Sequence, residues 1–140
     1  MKKEMNNKGF SLVELIIVIA IMAVLIGILA PQYLKYVNNS KVSTDITNAQ
    51  ELATAINVEV ADGNGADMVS LFSGASYGGN DTISGVAGIT AMPVPKLDAS
   101  ADWSIGVDQF NGVTAITLGG YKIYPNPQDS NSGFYTEFHK

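Results

Sequence analysis

With 140 residues, 46% hydrophobic content and no cysteine, the chain can bury one modest core, and disulfides, thiolate catalysis and cysteine-bound metals are excluded at once. Eight lysines stand against thirteen acids, a formal net charge of −5, and from Phe10 onward five lysines face twelve acids, a net −7. An acidic surface repels phosphate backbones and no basic cluster follows the apolar stretch, so nucleic acid is not an expected partner.

The first element is announced by Lys2, Lys3 and Lys8, which precede an apolar stretch from Phe10 to Ala30 whose only polar side chains are Ser11 and Glu14. That stretch supplies the roughly 20 residues a helix needs to cross a hydrocarbon core of about 30 Å. The lysines before it place Met1 in the cytoplasm and the rest of the chain outside. An ordinary secretory signal peptide has the same layout but also a small-residue cleavage site. Here cuts after Ala30, Ala23 or Gly27 put Ile28, Ile21 or Leu25 where the small residue belongs. An uncleaved single-pass anchor accommodates the run too, yet gives no reason for Glu14. An ionised carboxylate costs about 2.5–3.5 kcal/mol at the centre of such a helix and less near its end. Glu14 therefore either reaches back to the lipid headgroups or has a partner.

Lys8-Gly9 immediately before Phe10, and Glu14 four residues after it, resemble the processing and assembly motif of type IV pilins; Pro31, twenty-one residues after Phe10, is a second match. The resemblance implies that a membrane prepilin peptidase cuts between Gly9 and Phe10 and that Phe10 becomes N-methylated. The cut frees a positive α-amino group beside Glu14. A Glu14 carboxylate meeting the Phe10 amine of a neighbouring subunit makes a charge-assisted pair in a low-dielectric helix bundle. Such a pair adds little net stability, but breaking it costs about 3–5 kcal/mol, so Glu14 is expected to specify register and recruit subunits. Pro31 removes a helical donor and leaves the Gly27 carbonyl without its partner, so Gly27 and Pro31 mark a weak, kinked stretch of a continuous helix; a plain helix end is the competing reading.

Further implications of the resemblance are a homo-oligomeric helical filament, an inner-membrane assembly platform, a cytoplasmic ATPase, and lipid around the precursor before export to a cell-surface pilus; no cofactor is implied. Many Gram-negative pilins close a C-terminal loop with a disulfide, which this chain cannot do, and that departure points toward a Gram-positive or anaerobic source. The major pseudopilin of a type II secretion system shares the motif of residues 8–31 and is the near alternative. A monomeric membrane anchor displaying a small extracytoplasmic binding module is the alternative of a different class.

Further along, Val42, Ile46, Ala49, Ala53, Ile56 and Val60 recur at alternating steps of four and three, one face of a helix. Lys41, Asp45, Asn48, Glu51 and Glu59 are assigned to the opposite, outward face. Helix from Phe10 to about Ala61 spans roughly 78 Å, more than the remaining chain can cover, so its apolar half is expected to protrude. Asp62-Gly63-Asn64-Gly65 ends it. Residues 62–101 read as a long variable connection, with one short helix after Asp67. Gly78-Gly79-Asn80-Asp81 reads as a turn and not a phosphate loop, since no lysine or helix signature follows.

Trp103 to Asp108 alternates, Asn111-Gly112 offers a two-residue hairpin turn, Val113 to Leu118 follows, and Gly119-Gly120 turns into Tyr121 to Tyr124. This is a three-stranded antiparallel meander whose Trp103, Ile105 and Val107 face can cover the helical stripe. Pro125 and Pro127 end the third strand, and a polar loop from Asn126 to Gly133 leads to Phe134 to Phe138. The layout is α+β and pilin-like: leader 1–9, transmembrane or filament-core helix 10–31, amphipathic helix half 32–61, and a globular β domain 62–140. No enzyme is expected, because the one histidine, His139, is next to last and Asp98, Asp102, Asp108 and Asp129 form no dyad. The oxygen-rich run from Asn126 to Ser132 could bind calcium, as C-terminal loops of some type II secretion pseudopilins do, but it lacks a regular ligand spacing, and no metal site is assigned.

Overall fold

Between Leu12 and Glu59 the only strong helix breakers are Gly27 and Pro31, and the computed structural model, which describes residues 9–126, has one helix, α1, over Leu12–Glu59. Pro31 lies inside it. The leader residues before Gly9, and Pro127, Asp129, Phe134 to Phe138, His139 and nearly all of the 126–132 loop, lie outside the described residues. Internal contacts divide the chain into two units, one up to Tyr36 and one from Val37.

The first unit holds the apolar part of α1. Every large apolar side chain from Phe10 to Leu34 is 47–93% exposed, so none is buried by the chain's own folding. By length and composition this helix can cross a membrane.

In the second unit the apolar stripe of α1 is the spine of the core. Val42, Ala49, Ala53 and Ile56 are buried, Ile46 and Val60 are half-buried, and Leu52 joins them. After Glu59, the segment Val60–Asn64 turns the chain through Gly63, whose φ of +97° only glycine adopts without strain. Helix α2, Gly65–Phe72, follows at once and buries Met68 and Phe72. It begins earlier than the helix expected after Asp67, because the break at Gly63 is a single-residue event and helical backbone resumes beyond it.

The sheet consists of β1 (Trp103–Asp108), β2 (Gly112–Leu118) and β3 (Tyr121–Tyr124), antiparallel in the order β1-β2-β3. Trp103, Ile105, Ile116, Leu118 and Ile123 enter one core with the α1 stripe. The two hairpins differ from each other. Between β2 and β3, Gly119 and Gly120 both have positive φ, 57° and 87°, and Leu118 pairs with Tyr121, the backbone signature of a tight two-residue turn. Between β1 and β2 the Asn-Gly expectation fails: Gly112 pairs with Asp108 as the first residue of β2, so the loop is Gln109-Phe110-Asn111. The cause is the Asp108 carboxylate, whose Oδ1 accepts the N–H groups of Phe110 and Asn111 and the Asn111 side-chain amide, at 3.0, 2.9 and 2.8 Å. These bonds hold the Asp108 carboxyl below the usual carboxylate range.

Gly78 to Asp81 is a turn, as expected, with Asn80 at φ 70° and the Asp81 Oδ2 accepting the Gly78 N–H at 2.7 Å. The connection from α2 to the sheet is tied down by side chains. Trp103 Nε1 donates to the Pro93 carbonyl at 2.8 Å and the Tyr77 hydroxyl to the Leu71 carbonyl at 2.7 Å.

Candidate processing and assembly site

The first four N–H groups of any helix lack intrahelical acceptors, and the sequence at the start of α1 answers this locally. Ser11 precedes the first helical residue, and its carbonyl accepts the Leu15 N–H at 3.2 Å. Three residues on, Glu14 turns back so that its Oε2 accepts the Ser11 N–H at 2.8 Å. This is one arm of the Ser-x-x-Glu capping box. The carboxylate also lies in the first turn, where the positive end of the helix dipole favours a negative charge.

Glu14 thus has a partner within its own chain, which the sequence reading missed. The signal was legible, since Ser11 and Glu14 stand three apart just before an apolar run, the spacing at which a capping box forms. Between Lys8 and Lys35, Glu14 is the one residue charged at neutral pH.

Gly9 and Phe10 lie outside the helix in irregular, exposed backbone. Phe10 is 93% exposed, and nothing lies within 4 Å of where a Gly9 side chain would start. The Gly9–Phe10 peptide bond is therefore exposed, and Phe10 stands four residues before Glu14. Gly27 and Pro31 both lie within α1 on exposed positions, with no contact near Gly27. The five residues singled out from the sequence thus share one exposed segment, Gly9, Phe10 and Glu14 at its start and Gly27 and Pro31 at its far end.

Two other carboxylates correct the sequence reading. Asp45 and Glu59, assigned to the outward face of α1, are buried. Asp45 accepts the N–H groups of Lys96 and Leu97 at 2.7 and 2.9 Å, and Glu59 accepts the Ala87 N–H and the Asn64 side-chain amide, each at 2.8 Å. The Asn64 amide, with the Ala87 N–H second, keeps the Glu59 carboxyl below its ordinary range. Both acids serve as acceptors for backbone N–H groups of a loop, at Ala87 and at Lys96 and Leu97, on either side of its short pairing of 80–83 with 90–92. Their role is structural.

Among the described residues no cluster of three or more metal-ligating side chains occurs. A surface groove of about 690 Å³ lies between the Thr47 to Ala55 part of α1 and residues 87–93, and its lining combines Thr, Asn, Gln and Glu51 with Leu52 and Ile89. It holds no arrangement of nucleophile and base.

The family described as the prokaryotic N-terminal methylation motif matches residues 5–30. A type IV major fimbrial protein FimA of Dichelobacter nodosus is 33% identical over 119 residues, covering 78% of this chain and 69% of its own. A probable minor fimbrial protein of the same organism is 31% identical over 138 residues, 90% of this chain and 84% of its own. A prepilin peptidase-dependent protein A of Clostridium perfringens is 28% identical over 85 residues, 61% of either chain. No solved structure matches the chain at a significant level.

Proposed function

The chain belongs to the type IV pilin family as a structural subunit of a pilus, and from that premise we propose that it is cut between Gly9 and Phe10 and polymerises through the apolar part of α1. The observation that carries this is the first unit's helix, whose large apolar side chains are all exposed while one carboxylate, Glu14, stands at its start. So large an apolar surface is not left in water; it is covered by lipid in the precursor and by equivalent helices in the filament. The near alternative of a secretion pseudopilin is not favoured, since the relatives that cover most of their own length are named fimbrial. A monomeric anchor leaves the same surface without a use once the protein leaves the bilayer.

The exposed Gly9–Phe10 bond supports the processing step. A prepilin peptidase acting there, on the cytoplasmic side where the lysine-rich leader lies, releases the Phe10 amine, which is then methylated and stays positive. The Glu14 carboxylate is then offered two kinds of partner: the Ser11 N–H of its own helix and the Phe10 amine of a neighbour. A carboxylate accepts several hydrogen bonds, so the cap and the intersubunit pair are compatible. Pairing with the amine in a lipid-like interior penalises every register that leaves either charge alone. At the far end Gly27 and Pro31 supply a stretch of α1 with one backbone hydrogen bond fewer, able to bend or melt as helices pack. An inner-membrane platform and a cytoplasmic ATPase complete the proposed assembly partners.

The test is Glu14→Ala in cells that make the pilus. N-terminal sequencing of the membrane-bound variant is expected to begin at Phe10, showing normal cleavage, while electron microscopy shows at least a tenfold loss of filaments. Wild-type filament yield would remove Glu14 from assembly, and a mature chain that still begins at Met1 in the unmutated protein would remove the processing step.

A further inference from the structure

We infer that Tyr33, Lys35 and Tyr36 form a lipid-headgroup contact that fixes how deep the precursor helix sits in the bilayer; this rests on the membrane-held precursor proposed above. All three side chains are exposed on α1, Tyr33 and Tyr36 by 67% and 76%. Three residues apart, the two tyrosines project from the same side of the helix. Each has an apolar ring and a polar tip, the combination that settles at the boundary of hydrocarbon and headgroups.

Position along the helix selects lipid as the occupant. From Leu12 to Tyr33 the axis advances about 32 Å at 1.5 Å per residue, just past a hydrocarbon thickness of about 30 Å. When Ser11 and Glu14 stand at one face of the bilayer, Tyr33 therefore stands at the other. Charge agrees with this. Lys35 is the first cation after Lys8, and with Glu14 as the only charge between them it reaches the phosphate level of the far leaflet. A contact at that face holds the Gly9–Phe10 bond at the opposite boundary, where a membrane peptidase meets it. The helix thus acts as a ruler between an aromatic stop and the bond to be cut.

The full-length chain carrying Tyr33→Trp is reconstituted into phosphatidylethanolamine and phosphatidylglycerol vesicles containing lipids brominated either close to the headgroup or near the acyl-chain end. Trp103 is fully buried in the second unit and out of reach of the quencher. Stronger quenching of the new tryptophan by headgroup-proximal bromine is the expected result. Stronger quenching from the chain end, or none in protein that floats with the vesicles, overturns the inference and leaves the membrane-held precursor standing. Protein that fails to float overturns that reading as well. In cells, Tyr33→Ser with Tyr36→Ser is expected to slow leader removal at least threefold, and Tyr33→Trp with Tyr36→Trp to restore the wild-type rate; equal rates in all three overturn the depth-setting role.

Discussion

Asp45 and Glu59 show how single carboxylates on one helix organise a stretch of chain that forms no regular structure. Asp45 accepts the N–H groups of Lys96 and Leu97 and Glu59 that of Ala87, and without these carboxylates those donors lose their partner. Asp45→Ala strands two donors at about 1–3 kcal/mol each, part of which water regains at the exposed Lys96. A net loss of about 2 kcal/mol, or roughly 10 °C in melting temperature for a unit of this size, is the expected outcome in a thermal melt. Glu59 adds a pH dependence of defined sign. Its carboxyl is held low in the folded chain by Asn64 and Ala87, so it binds a proton less readily there than in the unfolded chain, where the usual value is about 4.3. Its contribution is complete above that unfolded value and is lost as pH falls through the lower folded one. The melting temperature of wild type should therefore exceed that of Glu59→Gln near neutral pH, with the gap narrowing in the acid range; a gap that widens on acidification contradicts this. Asp98, held low by the Ser100 hydroxyl and then by its N–H, and Asp108 change in the same direction.

Elements are set by a few residues at their ends. Helix α1 begins where Ser11 and Glu14 close a capping interaction and is interrupted where Gly63 takes a positive φ. The β1–β2 hairpin owes its three-residue loop to Asp108, and its return into β2 to Gly112. Gly112 has φ +80°, an added side chain there would collide with the Asn57 side-chain oxygen, and that same oxygen accepts the Val113 N–H at 2.8 Å. Gly112→Ala thus combines backbone strain with loss of a bond that joins α1 to β2, a cost of about 2–4 kcal/mol readable as a lower urea midpoint. The sequence pointed to the strands and to the Gly119-Gly120 turn, because alternation and paired glycines are local signals. Its choice of Asn111-Gly112 as a two-residue turn failed because the decisive group, the Asp108 carboxylate, competes for the same backbone from just outside the dipeptide.

At the scale of the molecule, the first unit's apolar helix needs other surfaces to cover it, and the second unit folds around its own core. Every residue of that core lies at or beyond Val42. A chain reduced to residues 37–140 is therefore expected to be a soluble monomer by size-exclusion chromatography and to melt cooperatively, whereas the full chain needs detergent, lipid or a filament. Loss of cooperative melting on truncation would mean that the first unit contributes to the core after all. The sequence by itself determined the helix, its apolar length, its lone acid beside Phe10 and the three-stranded meander, because periodicity, hydropathy and turn chemistry are properties of neighbours along the chain. Only the tertiary structure decided that Asp45 and Glu59 face inward and that Leu52 belongs to the core. Helical spacing says which residues share a side; whether a carboxylate on that side meets water or the N–H groups of a loop 28 residues away, as for Glu59, or 51 and 52 away, as for Asp45, depends on where the loop comes to rest.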